Sequence, residues 1–511
     1  MDYGLGNWIR RRSQLDGRDI AISTKDEAIS YHRLDLLTDR LANSLASAGV
    51  RFGDRVALLL ENSEEWIEIL FAAAKLGAVV VPIDPSLTPD EVSFILTDSG
   101  PRVAFTSDAH SEILQKAMKE TSMELDLVVE SRSESSSFAR YNDFASDGAT
   151  DFPRQQISGS ELLIISYTTG PTLRPKGVVL THSNVISHTV SMVTSQISLT
   201  KKDETIAIEP FTNLFGLTTL ALPLLYIGGT LHIDRDLETS DYIDAINRTD
   251  PSVLSLSFRE WHSLAEHLDR ETLSPQSLRY ALCTEGLISR DDYQKLEAQG
   301  VRVANTYGLT ELCGVSTIDE PTAGISETTR RGQPLFDVDV RIENSTGTVL
   351  ADEESGEIVF EGPSVFRGYW GLPMETSQVL KQSNLHSGDI GYLDKEGYLY
   401  VKSSNHISPP ANIHVSFKEI ETALATQNEI SEMAVVGIDG ANRDAAILVA
   451  VVLKPQSDIT VAELTYKLKK LWNSASHNIK VMVLDKLPRS ASGKVLKSEL
   501  EAIYLEHNGY R

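Results

Sequence analysis

Apolar positions follow two alternating periods through the first 110 residues. Leu34, Leu37, Leu41 and Leu45 recur at helical spacing, and Arg55 to Leu60 then forms a short, nearly unbroken apolar run that reads as a buried strand. A second helix is predicted over 64–76 and, after Gly77, a strand over 78–82. Thr88-Pro89-Asp90 marks the start of a third helix reaching Leu96, and 102–106 is again strand-like. This β–α–β–α–β order predicts a parallel, doubly wound sheet. Residues 131–151 are serine-rich, show no apolar period and read as an exposed loop before the strand that opens at Glu161.

A second alternating region runs to about residue 330. From Gly332 to Tyr400 the segments VDVRIE, GEIVFEG and GYLYV, separated by Gly and Asp, read as strands of a mostly β subdomain. Beyond Ser403 the pattern is two apolar strands, a helix near 461–471 and the strand IKVMVL. That last stretch carries twelve basic and twelve acidic residues, so the whole charge deficit of the chain lies upstream of it. The charge step predicts two units, 1–402 and 403–511. The expected class is α/β, with a large N-terminal domain of doubly wound mixed sheets plus a β subdomain, and a small, mobile α+β C-terminal domain.

Charge and composition narrow the function. The 511 residues hold 47 Lys+Arg against 72 Asp+Glu, a formal charge of −25, which disfavours a general nucleic-acid or anionic-membrane binder. An anionic ligand then needs a dedicated pocket. Two cysteines, Cys283 and Cys313, are too few for a disulfide framework and point to a reducing cytoplasm. The N-terminus has basic residues but no apolar stretch after them, and the longest apolar run, Leu220 to Ile227, is too short to span a bilayer.

Candidate chemistry sits in four places. The run from Tyr167 to Gly177 follows an apolar strand and is expected to precede a helix starting in VVLTHSN; its hydroxyls, backbone N–H groups and Lys176 suit a phosphate. It is not a Walker loop, because no Gly-Lys-Ser/Thr closes it, and a plain surface turn is the alternative. Asn305 to Glu311 places a flexible Gly308 between Tyr307 and the pair Thr310-Glu311, whose carboxylate could hold Mg²⁺ or merely cap a helix. Asp389, in His-Ser-Gly-Asp, could accept from ribose hydroxyls or sit in a turn, and Lys494 lies on a Gly/Ser loop.

Taken together and in this order, the Lys176 loop, Tyr-Gly-Leu-Thr-Glu, Ser-Gly-Asp and Pro-Arg-Ser-Ala-Ser-Gly-Lys resemble the AMP-forming adenylate-forming superfamily: acyl-CoA synthetases, nonribosomal peptide synthetase adenylation domains and firefly-type luciferases. The resemblance covers essentially the whole chain. It implies activation of a carboxylic acid by ATP and Mg²⁺ to acyl-AMP with release of pyrophosphate, then transfer to CoA or a carrier-protein thiol. By motif, Thr168, Thr169, Thr172 and Lys176 would contact phosphates, and Thr284, Glu285 and Gly286 with Asn305, Thr306 and Tyr307 would line the adenine. Glu311 with Thr310 would hold Mg²⁺, Asp389 the ribose, and Lys494 the substrate carboxylate and α-phosphate. Asn213, Phe215, Gly216 and Gly308 would line the acyl pocket.

Four departures qualify this. Pro171 and Leu173 stand where the superfamily usually has Thr and Gly, which weakens a backbone cradle. Asn213 replaces a His, and Thr284-Glu285-Gly286-Leu287 replaces Gly-Gly-Ala-Pro, so that Glu285 could either bond the adenine amino group or repel phosphate. The stretch from Tyr398 to Val436 contains no Gly and no Arg: Ser404 stands where an arginine would meet ribose, and Ser408-Pro409-Pro410-Ala411-Asn412 replaces a glycine-rich strip. The thiol step is the half-reaction these changes bear on most. No Asp faces an α-ammonium near Phe211-Thr212-Asn213, which favours an apolar acyl, aryl or terpenoid-type acid over an α-amino acid. Two alternatives stay open: a nonenzymatic binding protein of the same fold, and a member that makes thioesters from preformed acyl-AMP.

Overall fold

A computed structural model describes residues 4–121, 125, 127–131, 138–146, 148–153, 155–168, 175–235, 237–268, 270–286, 288, 290–321, 330–344, 346–403, 429–439, 445–454, 457, 459–461, 463–465, 479–489, 495, 500 and 503–504. The expected N-terminal alternation forms an eight-stranded sheet with a parallel centre: Val79–Pro82, Arg55–Leu59, Val103–Ser107 and Leu127–Ser131 run in register. Its helices start and stop where side chains satisfy their free backbone groups. Glu64–Leu76 begins at Ser63, whose hydroxyl accepts from Trp66 N, and ends at Gly77 with φ +72°. Pro89–Ser99 carries a reciprocal capping box between Thr88 and Glu91.

Two local expectations are corrected. The segment Lys176–Thr181 is a strand, antiparallel to Leu162–Thr168, and the helix His182–Thr194 starts only after it. Val178, Val179 and Leu180 are buried in the sheet, so Lys176 opens a strand rather than a helix. Within 131–151, read as an exposed loop, lie the strand Ala139–Arg140 and the helix Tyr141–Ser146. Tyr141 and Phe144, three residues apart, both set their rings 6.2 Å from Phe105.

A second sheet joins Val253–Ser257, Tyr280–Thr284 and Val303–Leu309 in parallel and continues antiparallel into Gly314–Ile318 and Gln333–Pro334. The expected β subdomain forms around Asp339–Glu343, Gly356–Glu361, Asn384–Leu393 and Leu399–Ser403. Near the C-terminus, Ile430–Asp439, Ala445–Leu453 and Ile479–Val483 make a three-stranded sheet that is apolar on both faces. Among the described residues no helix is long and apolar enough to cross a membrane.

Candidate active site

The parallel strands of the second sheet finish at one edge, with Ser257 beside Thr284 and Cys283 beside Asn305. Carboxyl ends of parallel strands are where open α/β sheets take ligands. At that edge the chain leaves Thr284 through Glu285, a non-glycine residue at φ +56°. Glu285 is exposed and accepts a hydrogen bond from Asn213 Nδ2 at 2.8 Å, so two departures from the superfamily pattern meet each other. The Thr284 hydroxyl is spent on Glu209, a buried carboxyl driven well above its ordinary pKa by burial and then by the charge of Glu260.

Asn305, Thr306 and Tyr307 lie on the strand Val303–Leu309 and are 9%, 2% and 9% exposed. Thr306 donates to the Cys283 carbonyl at 2.8 Å, which leaves its hydroxyl facing the sheet. Tyr307 stacks on Phe360 with centroids 5.8 Å apart and donates its hydroxyl to Asp389 Oδ2 at 2.5 Å. Burial, then Asp389, holds the Tyr307 phenol protonated far above its usual range. Asp389 itself is fully buried on Asn384–Leu393. Asn305 Oδ1, in contrast, is buried without a hydrogen-bond partner among the described residues. Gly308 is required for closeness rather than flexibility: a Cβ there would fall 1.9 Å from the Gly314 carbonyl oxygen.

Thr168 and Lys176 face each other at the base of the hairpin. Lys176 Nζ lies 5.0 Å from the centroid of the Tyr369 ring, and the Tyr369 hydroxyl donates to Glu311 Oε1 at 2.7 Å. Gly368–Tyr369 pairs with Val178 and Val179, and Phe366 N donates to the Glu311 carbonyl at 2.8 Å, so one short segment ties the lysine hairpin to the Thr310–Leu312 turn. Tyr369 was not legible as a site residue, since only its place between Lys176 and Glu311 distinguishes it.

On the acyl side, Asn213 caps the turn Leu214–Gly216 by accepting from Phe215 N. Phe215 is buried, and a Cβ on Gly216 would lie 2.5 Å from the Pro210 carbonyl oxygen, which holds this turn against the Glu209 segment. The helix continues through a π turn, Leu217–Ala221, where the Thr218 hydroxyl donates to the Leu214 and Cys313 carbonyls. Thr169, Pro171, Thr172, Leu173, Leu287, Ser404, Ser408 to Asn412 and Lys494 lie outside the described residues.

Comparison with known proteins identifies the family. The profile described as AMP-binding enzyme matches residues 9–370, and that of the AMP-binding enzyme C-terminal domain matches 419–494. A feruloyl-CoA synthase from Amycolatopsis sp is 30% identical over 98% of this chain and 99% of its own length. The 2-succinylbenzoate–CoA ligase of Bacillus subtilis (strain 168) is 29% identical, covering 97% of each. Among solved structures, o-succinylbenzoate CoA synthetase from Bacillus subtilis in complex with its acyl-adenylate aligns with a TM-score of 0.81 at 27% identity, over 97% of this chain and 98% of that one. ATP-bound MatB from Rhodopseudomonas palustris shares the fold, with a TM-score of 0.84 at 24% identity over 100% of both chains. The chain therefore belongs to the AMP-binding enzyme family, the adenylate-forming superfamily that its motifs resemble.

Proposed function

We propose that the protein uses Mg²⁺ and ATP to convert an apolar aryl or acyl carboxylic acid to acyl-AMP and then passes the acyl group to CoA. In the first step a carboxylate oxygen bonds to the α-phosphorus, the bond from that phosphorus to the β-bridging oxygen breaks, and pyrophosphate leaves. In the second a thiolate attacks the acyl carbonyl and AMP leaves. The observation that carries the reading is the unpartnered, buried Asn305 Oδ1, two residues before Tyr307 on the strand Val303–Leu309: an acceptor without a donor matches the adenine amino group.

Within this reading Asp389 accepts from ribose, Lys176 and Thr168 with Thr169 and Thr172 steady the phosphates, and Lys494 balances charge developing at the α-phosphate. Glu311, held by Tyr369, offers one carboxylate to Mg²⁺. Mg²⁺ is commonly bound by one or two carboxylates together with substrate phosphates, so Glu311 would hold it beside the phosphates of ATP. Asn213, Phe215, Gly216 and Gly308 face the acid, and the names of the relatives, feruloyl-CoA synthase and 2-succinylbenzoate–CoA ligase, favour an aryl acid. The division at 402/403 and a cytoplasmic site of action belong to the same proposal.

The test is twofold. Calorimetric titration with ATP plus Mg²⁺ should give binding that a Lys176/Glu311 double substitution abolishes. Pyrophosphate release is then screened against ferulate, o-succinylbenzoate and fatty acids; Lys494→Ala should lower it by about 10²–10³-fold, while substitution of Pro409 and Pro410 leaves it intact. Absence of nucleotide binding would replace this reading by a nonenzymatic one, and a fully active Lys494→Ala would remove the role given to that lysine.

A further inference from the structure

Arg330 and Arg331 are consecutive, and their surroundings differ sharply. Arg330 makes a two-point ion pair with Asp319, Nε to Oδ2 and Nη2 to Oδ1, both at 2.9 Å, and lies 4.7 Å from the Tyr398 ring centroid. Its guanidinium is matched by a carboxylate at the rim. Arg331 has a fixed backbone: its N–H donates to the Leu399 carbonyl at 2.7 Å and its carbonyl accepts from the Thr317 hydroxyl at 2.6 Å. Its side chain reaches the turn after Thr284, where Nη1 donates to the Gly286 carbonyl. Nε is buried without a partner among the described residues.

A guanidinium carries five N–H donors, and desolvating its charge is expensive unless acceptors replace the lost water. Burial lowers the Arg331 pKa, and Asp389 is the carboxylate whose charge opposes that shift. Asp389 already accepts from Tyr307, so it serves Arg331 as a counter-charge while Nε stays unpaired. The unspent Nε belongs to a guanidinium anchored on the Gly286 carbonyl, at the turn that follows Thr284, and Asn305, with its unpartnered acceptor, lies on the strand that pairs with Cys283.

We propose that Arg331 is a nucleotide-binding residue, whose free Nε donor bonds a ribose or α-phosphate oxygen of an AMP moiety. This rests on the adenylation reading and adds to it a cation drawn from the strand edge before Gly332. Donor and acceptor are then complementary across one ligand: Asn305 takes the base's amino hydrogen, and Arg331 gives hydrogens to the sugar-phosphate oxygens.

The experiment is calorimetric titration of the full chain with AMP and, separately, with ATP plus Mg²⁺, for the native protein, Arg331→Met and Arg331→Lys. Melting temperature without nucleotide is recorded for each. Arg331→Met should weaken both nucleotides by about tenfold or more, the worth of one charged hydrogen bond, and Arg331→Lys, which keeps the charge without the fork, should recover part of that. Should Arg331→Met fail to fold, a loss of about threefold or more in Arg331→Lys carries the test. A lowered melting temperature with unchanged AMP and ATP affinity would make Arg331 merely structural and overturn the assignment alone. If the native chain binds neither nucleotide, both this assignment and the adenylation reading fall.

Discussion

The protein uses the same small device, a tyrosine hydroxyl bonded to a carboxylate, in two regions with opposite surroundings. In the N-terminal sheet Tyr141 donates to Glu68 at 2.5 Å, and in the candidate site Tyr307 donates to Asp389 at the same distance. Around Glu68 the nearby charges are Glu64 and Glu65, themselves engaged by Arg235. Burial first, then those neighbours, raise Glu68 to about 8, so at neutral pH it is a protonated packing group. Around Asp389 stands Arg331 with a free donor. The pair alone does not mark a site; the charges around it differ, carboxylates at Glu68 and a guanidinium at Asp389.

The largest expected effect sharpens that contrast through pH. The folded Glu68 keeps its proton up to about 8, whereas an unfolded one releases it near its ordinary value of 4.5. Between those values the unfolded chain binds fewer protons, so stability falls as pH rises across the window and levels off on either side. At about 1.4 kcal/mol per unit of pKa difference this amounts to several kcal/mol. Glu68→Gln should flatten the decline in melting temperature from pH 5 to 8 while leaving nucleotide affinity unchanged; an equal slope in both proteins would contradict the protonated assignment.

Asp389→Asn should act on nucleotide affinity. Replacing the carboxylate keeps an acceptor for Tyr307 but removes the counter-charge of Arg331 and the strong ribose acceptor. A loss of about 1.5–3 kcal/mol in AMP and ATP binding is expected. Were Asp389→Asn and Glu68→Gln to affect calorimetric nucleotide binding alike, the two pairs would not be functionally distinct.

Much of the scaffold was legible because local signals and tertiary packing agree. The helix Glu64–Leu76 matches its predicted limits, since Ser63 caps it and Gly77 can take the left-handed turn that ends it. The hairpin at Lys176 was misread because Val178 to Leu180 is short and apolar in either conformation, and only pairing with Leu162–Thr168 decides it. The aromatic pair Tyr141 and Phe144 was hidden by the surrounding serines. At the site, motif residues such as Tyr307, Glu311 and Asp389 could be singled out along the chain. Tyr369 and Arg331 could not, because their meaning comes from partners more than forty residues away, the Glu311 carboxylate for one and the Gly286 carbonyl for the other.

Tyr369→Phe tests that spatial reading with a smaller effect. The ring that Lys176 approaches is retained and only the hydrogen bond to Glu311 is lost. A typical bond of this kind contributes about 0.5–1.5 kcal/mol, so the apparent Mg²⁺ requirement for pyrophosphate release should rise by up to about tenfold. An unchanged Mg²⁺ dependence would detach Tyr369 from the metal carboxylate.

The smallest expected effect concerns Glu285 and Asn213, where two opposing contributions must be separated. Holding a residue with a Cβ at φ +56° costs about 1 kcal/mol, so glycine relieves strain there. The same change removes the 2.8 Å bond from Asn213, which offsets the gain. Glu285→Gly is therefore informative only in two backgrounds. With Asn213→Ala already present the bond is gone, and glycine should raise stability by up to about 1 kcal/mol. With Asn213 intact the gain should be smaller by the coupling energy of the pair, about 0.5–1 kcal/mol for an exposed hydrogen bond. Equal gains in both backgrounds would mean that the bond contributes nothing in solution, and that Glu285 keeps its strained conformation for the ligand rather than for Asn213.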